Sequence, residues 1–143
     1  MWSDTLTLGD LVIENQIIGV STSTVDFNDF DGILGLYSSN ANGEGTAVMK
    51  NLLSQEKISE DILGIYFVPA SESSSKGTLT FGGYDSSVIT GLVNYAPLTT
   101  SPASMRWGID LSISYDDTSQ AILSSTGGIV DTGTTFIAIA SGE

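Results

Sequence analysis

The chain has 143 residues, 41% of them apolar, and its 17 carboxylates against 4 cations give a net charge of −13. That balance argues against nucleic acid or an anionic membrane surface as partner, since both need clustered cations. It suits a protein that works in acid, where protonation relieves carboxylate repulsion, and equally an ordinary soluble acidic domain.

Cysteine and histidine are absent, which removes disulfides, thiol nucleophiles, His-based triads and most zinc sites. Chemistry is left to carboxylates, hydroxyls and a few lysines. No apolar run reaches membrane-spanning length. The start, Met1-Trp2-Ser3-Asp4, has neither the basic segment nor the continuous apolar stretch of a signal peptide. The length allows one domain with a real core.

Short apolar runs separated by glycines and Ser/Thr clusters predict a mainly β protein with one or two short helices. In chain order, "TLTLGDLVIENQIIGV" reads as two strands, with Gly9-Asp10 as the hairpin turn. "FDGILGL" (Phe30–Leu36) is an apolar run broken by two glycines, which suggests an enclosed segment in close backbone approach to a neighbour. A helix should follow, capped by Thr46, with Val48, Met49, Leu52 and Leu53 on one face. A further helical turn is expected at Ser59, with Glu60 and Asp61 at its positive end. "ILGIYFV" reads as a buried strand stopped by Pro69, Ser71–Lys76 as a polar loop, and "GTLTFGG" (Gly77–Gly83) as another strand. The clearest alternation is Trp107, Ile109, Leu111, Ile113 and Tyr115, a strand with one buried face. Asp116-Asp117 should turn it into a partner through Ala121–Leu123.

Near the C-terminal end stands "GIVDTGTTF" (Gly128–Phe136). By itself Asp131-Thr132-Gly133 is as readily an ordinary surface turn. A carboxylate on a Gly turn is also one that backbone N–H groups and hydroxyls can grip, so that it stays oriented.

Context decides between these. "FDGILGL", "GTLTFGGYDSS", "LVNYAPL", the alternating strand with Trp107, and "GIVDTGTT" occur in that order. Over essentially the whole chain this series resembles the pepsin-like aspartic endopeptidases. "TSPAS", "WGI" and "ILSSTGGIVDTGTT" most resemble the secreted basidiomycete, polyporopepsin-type branch of that family.

The resemblance implies a mainly β, bilobal acid-protease fold, each lobe supplying one Asp-Thr-Gly loop to a shared cleft. Residues 1–91 would be the second half of the N-terminal lobe, and residues 92–143 the first half of the C-terminal lobe. Asp131 would be a catalytic aspartate supported by Thr132, Gly133 and Thr134. Ile33-Leu34-Gly35 would be the first lobe's apolar-apolar-Gly segment. Phe30, Ile33 and Ile129 match substrate-pocket positions, although for Phe30 and Ile33 a core role is equally open. The activity implied is cleavage of peptide bonds flanked by apolar residues, by water activated between two aspartates in acid. Peptide or protein is the substrate; no cofactor or metal, nucleic acid or membrane is implied, and oligomeric state is left open. The complete enzyme would be extracellular, with its signal peptide outside this chain.

The family mechanism needs two carboxylates, and this sequence has one Asp-Thr-Gly. The resemblance places the other loop and the flap ahead of Met1, and the second lobe's apolar-apolar-Gly segment after Glu143. The chain is therefore expected to be a fragment, inactive by itself. Asp31, Asp4 and Asp85 have the setting of structural aspartates, and neither Tyr37 nor Tyr66 sits in a flap-like context. Three other readings stand beside the protease: a non-catalytic or peptide-binding remnant, a homodimer that restores two aspartates, and an extracellular β module without chemistry. The homodimer is disfavoured, because here the apolar-apolar-Gly segment precedes the catalytic loop.

Overall fold

The computed structural model describes residues 1–23, 30–37, 47–69, 71, 76–100, 103, 106–115 and 120–139. Contacts divide the chain into a first unit, Met1–Val93, and a second, Asn94–Glu143. The architecture is mainly β, as the sequence predicts. The Asp116-Asp117 turn and most of the Ser71–Lys76 loop lie outside the described residues, as does Thr46; the helix expected to be capped by Thr46 has Ala47 at its N-cap, with no side-chain cap bond.

In the first unit, β1 (Trp2–Leu8) and β2 (Leu11–Ile18) form an antiparallel hairpin in which Leu8 faces Leu11. The turn is Gly9-Asp10, as expected. Gly9 has φ +60, and Asp10 is not among the positive-φ residues, the arrangement of a II′ turn, which places glycine first. Further along, Asp4 faces Gln16 while Leu6 faces Ile13, so β2 carries one extra residue there. Asn15 absorbs the bulge at φ +54, a left-handed conformation that asparagine tolerates better than most side chains. The insertion changes the phase of the inward face. Leu11 and Ile13 point in at a spacing of two, and the next buried side chain is Gln16 rather than Asn15.

The helix α1 (Val48–Ser54) closes over this hairpin. It buries Val48, Met49 and Leu52. Leu53, expected on the same face, is exposed; at 100° per residue it stands a quarter-turn from the centre of the other three. Ile13, Val48, Met49, Leu52 and Ile58 form the core, with Leu6, Leu8, Leu11, Leu63 and Phe81 packed against it. Burial of a side chain such as Leu52 contributes about 1.5–3 kcal/mol.

Two amides fasten helix to hairpin. The Gln55 side chain accepts from the Glu14 N–H at 2.9 Å and donates to the Glu14 carbonyl at 2.8 Å. It thereby satisfies backbone groups that the bulge takes out of the ladder. Asn51 donates to the buried Gln16 Oε1 at 2.9 Å.

The strands β3 (Leu63–Tyr66) and β4 (Thr78–Phe81) form a second antiparallel hairpin, with Leu63 facing Phe81. Gly82 follows at φ +80, and a Cβ there would lie 2.9 Å from the Ile58 side chain. Both the backbone angle and the core contact therefore require glycine. Asp85 Oδ1 accepts from the Ser87 N–H at 2.8 Å and so caps a 3₁₀ turn, Ser86–Val88.

Three further expectations need correction in this unit. Residues 59 and 60 form bends and residue 61 has no regular structure, so no helical turn forms there. The "ILGIYFV" strand is half-buried rather than buried and ends at Tyr66, because a two-stranded sheet covered on one face leaves Ile65 and Phe67 exposed. Residues 30–36 have no regular structure and are not enclosed. Phe30 is 64% and Ile33 76% exposed, no atom outside the adjoining residues comes within 4 Å of a Cβ built at Gly32, and Gly35 meets only the nearby Tyr37 ring.

The second unit is built on β5 (Gly108–Tyr115) and β6 (Gln120–Ile129). Along β5 the alternation holds for Ile109, Leu111 and Ile113, half-buried, against Asp110, Ser112 and Ser114, exposed; Tyr115, expected on the buried face, is exposed. Leu123, facing Ile113 across the pair, is buried. Thr99 edges the sheet: its N–H donates to the Gly108 carbonyl at 2.9 Å, and its hydroxyl donates to Asp110. The partner strand is longer than Ala121–Leu123, and its full length carries the chain to the edge of the Asp131 loop.

Candidate active site

The loop begins where the β ladder stops. Gly108 faces Ile129, and the Val130 N–H donates to the Trp107 carbonyl at 2.8 Å. Asp131 is thus fastened to the sheet through its immediate neighbour.

From there the chain turns back on the aspartate side chain. Gly133 N–H donates to Asp131 Oδ1 at 2.9 Å, and Thr134 Oγ1 donates to Oδ2 at 2.6 Å. The Thr134 N–H also reaches the Asp131 carbonyl at 3.3 Å. Thr132 lies in the turn between them. Local side-chain-to-backbone bonding of this kind is what makes aspartate a turn former. Here it has a chemical effect as well, because each carboxylate oxygen has its own donor and the group is held in one orientation.

The donors favour the ionised form. The Asp131 carboxyl is held below the ordinary aspartate range, first by the Thr134 hydroxyl and next by the Gly133 N–H; desolvation opposes them, and the Arg106 charge adds the smallest contribution.

Asp131, Thr134 and Ile129 line one open depression of about 620 Å³, together with Leu111, Phe136 and Ile137. Its wall is apolar and accessible: Ile129 is 51%, Phe136 83% and Ile137 86% exposed. The structure thus brings together Asp131, Thr132, Gly133, Thr134 and Ile129. Phe30 and Ile33 belong to the first unit, on its exposed 30–36 segment.

Sequence reasoning missed Phe136, Ile137 and Arg106. The signal for Phe136 and Ile137 was their place in the apolar run that directly follows the Asp131 turn.

Among the described residues of the second unit the other carboxylate is Asp110, on β5 opposite Gly127 and engaged by Thr99. An oriented, ionised Asp131 can accept a proton from water. Among the described residues of its unit, no hydrogen bond joins it to a second carboxylate.

A mainly β chain that presents an aspartate on a Thr-Gly turn, both oxygens gripped, has the features of an acid-protease half-site. The eukaryotic aspartyl protease family model matches residues 1–143, and the chain belongs to that family. It is 47% identical to polyporopepsin of Irpex lacteus over 151 aligned positions, which cover 98% of this chain and 44% of that protein. It is 37% identical to pepsin-3 of Oryctolagus cuniculus, over 94% of this chain and 35% of that protein. Pepsin A of Callithrix jacchus is 35% identical over the same shares. The chain therefore spans less than half the length of these relatives.

Proposed function

We propose that this chain carries one half of the catalytic centre of an acid-acting aspartic endopeptidase, with Asp131 as one of two carboxylates that activate water. The observation that carries the reading is the grip of Gly133 and Thr134 on the two Asp131 oxygens. In this reading a second aspartate from elsewhere in the full-length protein lies close to Asp131. Two carboxylates at close range cannot both ionise, so the pair holds one proton and titrates as a unit. The ionised member takes a proton from the water, which attacks the peptide carbonyl. The protonated member polarises that carbonyl, and the tetrahedral intermediate collapses once a proton reaches the leaving amine. No covalent enzyme intermediate is formed.

Thr134 and Gly133 orient Asp131, Thr132 shapes the turn, and Ile129, Phe30 and Ile33 contact apolar residues flanking the scissile bond. Residues 1–91 belong to the N-terminal lobe and residues 92–143 to the C-terminal lobe, a reading supported by the division of contacts between Val93 and Asn94. The substrate is peptide or protein, and the complete enzyme acts outside the cell. Among the described residues no helix is long and apolar enough to cross a membrane.

A second reading has one observation in its favour. Asp131 and its loop are exposed, and the 143 residues hold a single Asp-Thr-Gly, so the chain by itself suits a peptide-binding half-cleft without turnover. The pH dependence of peptide cleavage by the full-length protein separates the two. A shared-proton pair gives activity confined to acid and lost as the second carboxylate ionises. Activity that climbs to a plateau at neutral pH and above would refute the mechanism, and no cleavage at any pH would leave the binding reading.

A further inference from the structure

The sequence holds one Asp-Gly pair, Asp31-Gly32 in "FDGILGL". Both residues are exposed, with Asp31 in a bend and residues 32–37 without regular structure. Their neighbours are open as well, Phe30 at 64% and Ile33 at 76% exposure. Beyond the adjoining residues, a Cβ built at Gly32 would meet nothing within 4 Å. Among the described residues no hydrogen bond engages the Asp31 carboxylate or the Gly32 N–H. Other aspartates are held: Asp85 by Ser87, Asp110 by Thr99, and Asp131 by Gly133 and Thr134.

We infer that Asp31-Gly32 is a site of covalent modification in this chain: the aspartate isomerises spontaneously through a cyclic imide. The Gly32 nitrogen attacks the side-chain carboxyl carbon of Asp31. A C–N bond forms, the carboxyl C–OH bond breaks, and the hydroxyl leaves with the amide proton as water. Water then adds to either ring carbonyl and breaks its bond to nitrogen. Opening at the side-chain carbonyl restores aspartate. Opening at the main-chain carbonyl gives isoaspartate, whose backbone runs through the former side chain. One water leaves and one returns, nothing is oxidised or reduced, and no co-reactant is needed.

The local geometry selects this pair. Ring closure swings the following nitrogen onto the carboxyl carbon, so a bulky following side chain, a bonded N–H or an engaged carboxylate each raises the barrier. Among the described residues Asp31-Gly32 meets none of the three, and glycine gives the backbone its widest range. The added main-chain carbon falls between Phe30 and Ile33 and changes their spacing. Isoaspartate would therefore rearrange the two residues of this segment that are read as substrate contacts; only that consequence rests on the proposed function.

The experiment is peptide mapping of the 143-residue chain after timed incubation in mildly acid buffer, native and in denaturant. Electron-transfer fragmentation assigns isoaspartate to a residue, which matters because Asn42-Gly43 reaches the same product by losing ammonia. Asp85-Ser86 is the internal control, since Ser87 engages its carboxylate at 2.8 and 2.6 Å. Folding should slow imide formation at Asp85 and leave Asp31 within a few-fold of its rate in denaturant, because local protection follows local structure. Gly32→Val, at an open position without positive φ, should slow the reaction at Asp31 about tenfold in either state, the effect of a barrier raised by about 1.4 kcal/mol. Protection of Asp31 equal to or greater than that of Asp85 would overturn the inference, as would a rate at Asp31 that Gly32→Val leaves unchanged. The comparison of the two sites needs no variant, so it decides the matter even if Gly32→Val does not fold.

Discussion

The Thr134 hydroxyl donates to Asp131 Oδ2 at 2.6 Å, while Oδ1 is taken by the Gly133 N–H. One side chain three residues on thus supplies half of the fixed geometry around the carboxylate. Because the bond favours the charged form, it is first among the causes that hold the Asp131 carboxyl below its ordinary range. A depressed carboxyl stabilises the fold above its unfolded-state value, and that stability is lost as pH falls through the folded-state value.

Thr134→Ala removes this donor and leaves the backbone path intact. The Asp131 carboxyl then rises toward the ordinary aspartate range. In the full-length protein the acid limb of peptide cleavage should move to higher pH, with a loss at the acid end of roughly two- to tenfold, the rate equivalent of one hydrogen bond. A pH profile of kcat/KM checks it; an acid limb that stays in place would mean that the hydroxyl does not govern ionisation.

Leu52→Ala tests the core of the first unit. Leu52 is fully buried among Ile13, Val48, Met49 and Ile58, and its truncation should cost about 2–5 kcal/mol. A denaturant titration that shows less than half of the lower figure would mean that α1 does not pack as described.

Ile33→Asp gives opposite expectations for a covered and an open segment. A buried unpaired carboxylate costs several kcal/mol, but Ile33 is 76% exposed. In the 143-residue chain the substitution should shift stability by no more than about 0.5 kcal/mol, read from a thermal melt. A large loss there would return Ile33 to the core.

The fold was legible where local chemistry alone decides. Gly9-Asp10 announced its hairpin because only glycine enters the left-handed first position easily. The alternation from Ile109 to Ile113 announced β5. Where a tertiary partner decides, the reading fell short. The phase slip at Asn15 depends on Gln55, 40 positions along the chain, which satisfies the bulged backbone at Glu14. Leu53 shares the helical stripe in sequence but stands off the buried face, and residues 30–36 look like core because apolar composition does not reveal what covers it. At the site, Asp131, Gly133 and Thr134 were legible because the turn is made within four residues. The Arg106 charge was not, because it lies far from Asp131 in the sequence and reaches it only through the fold.

The central claim is that Asp131 is one of two carboxylates that share the work of proteolysis, and Asp131→Asn in the full-length protein tests it most directly. The substitution keeps the shape and removes the charge, so the fold should be retained while the base or its proton partner is lost. Peptide cleavage in acid should fall by about three orders of magnitude or more, as for other members of a cooperating catalytic set. Wild-type cleavage by that variant would contradict the account.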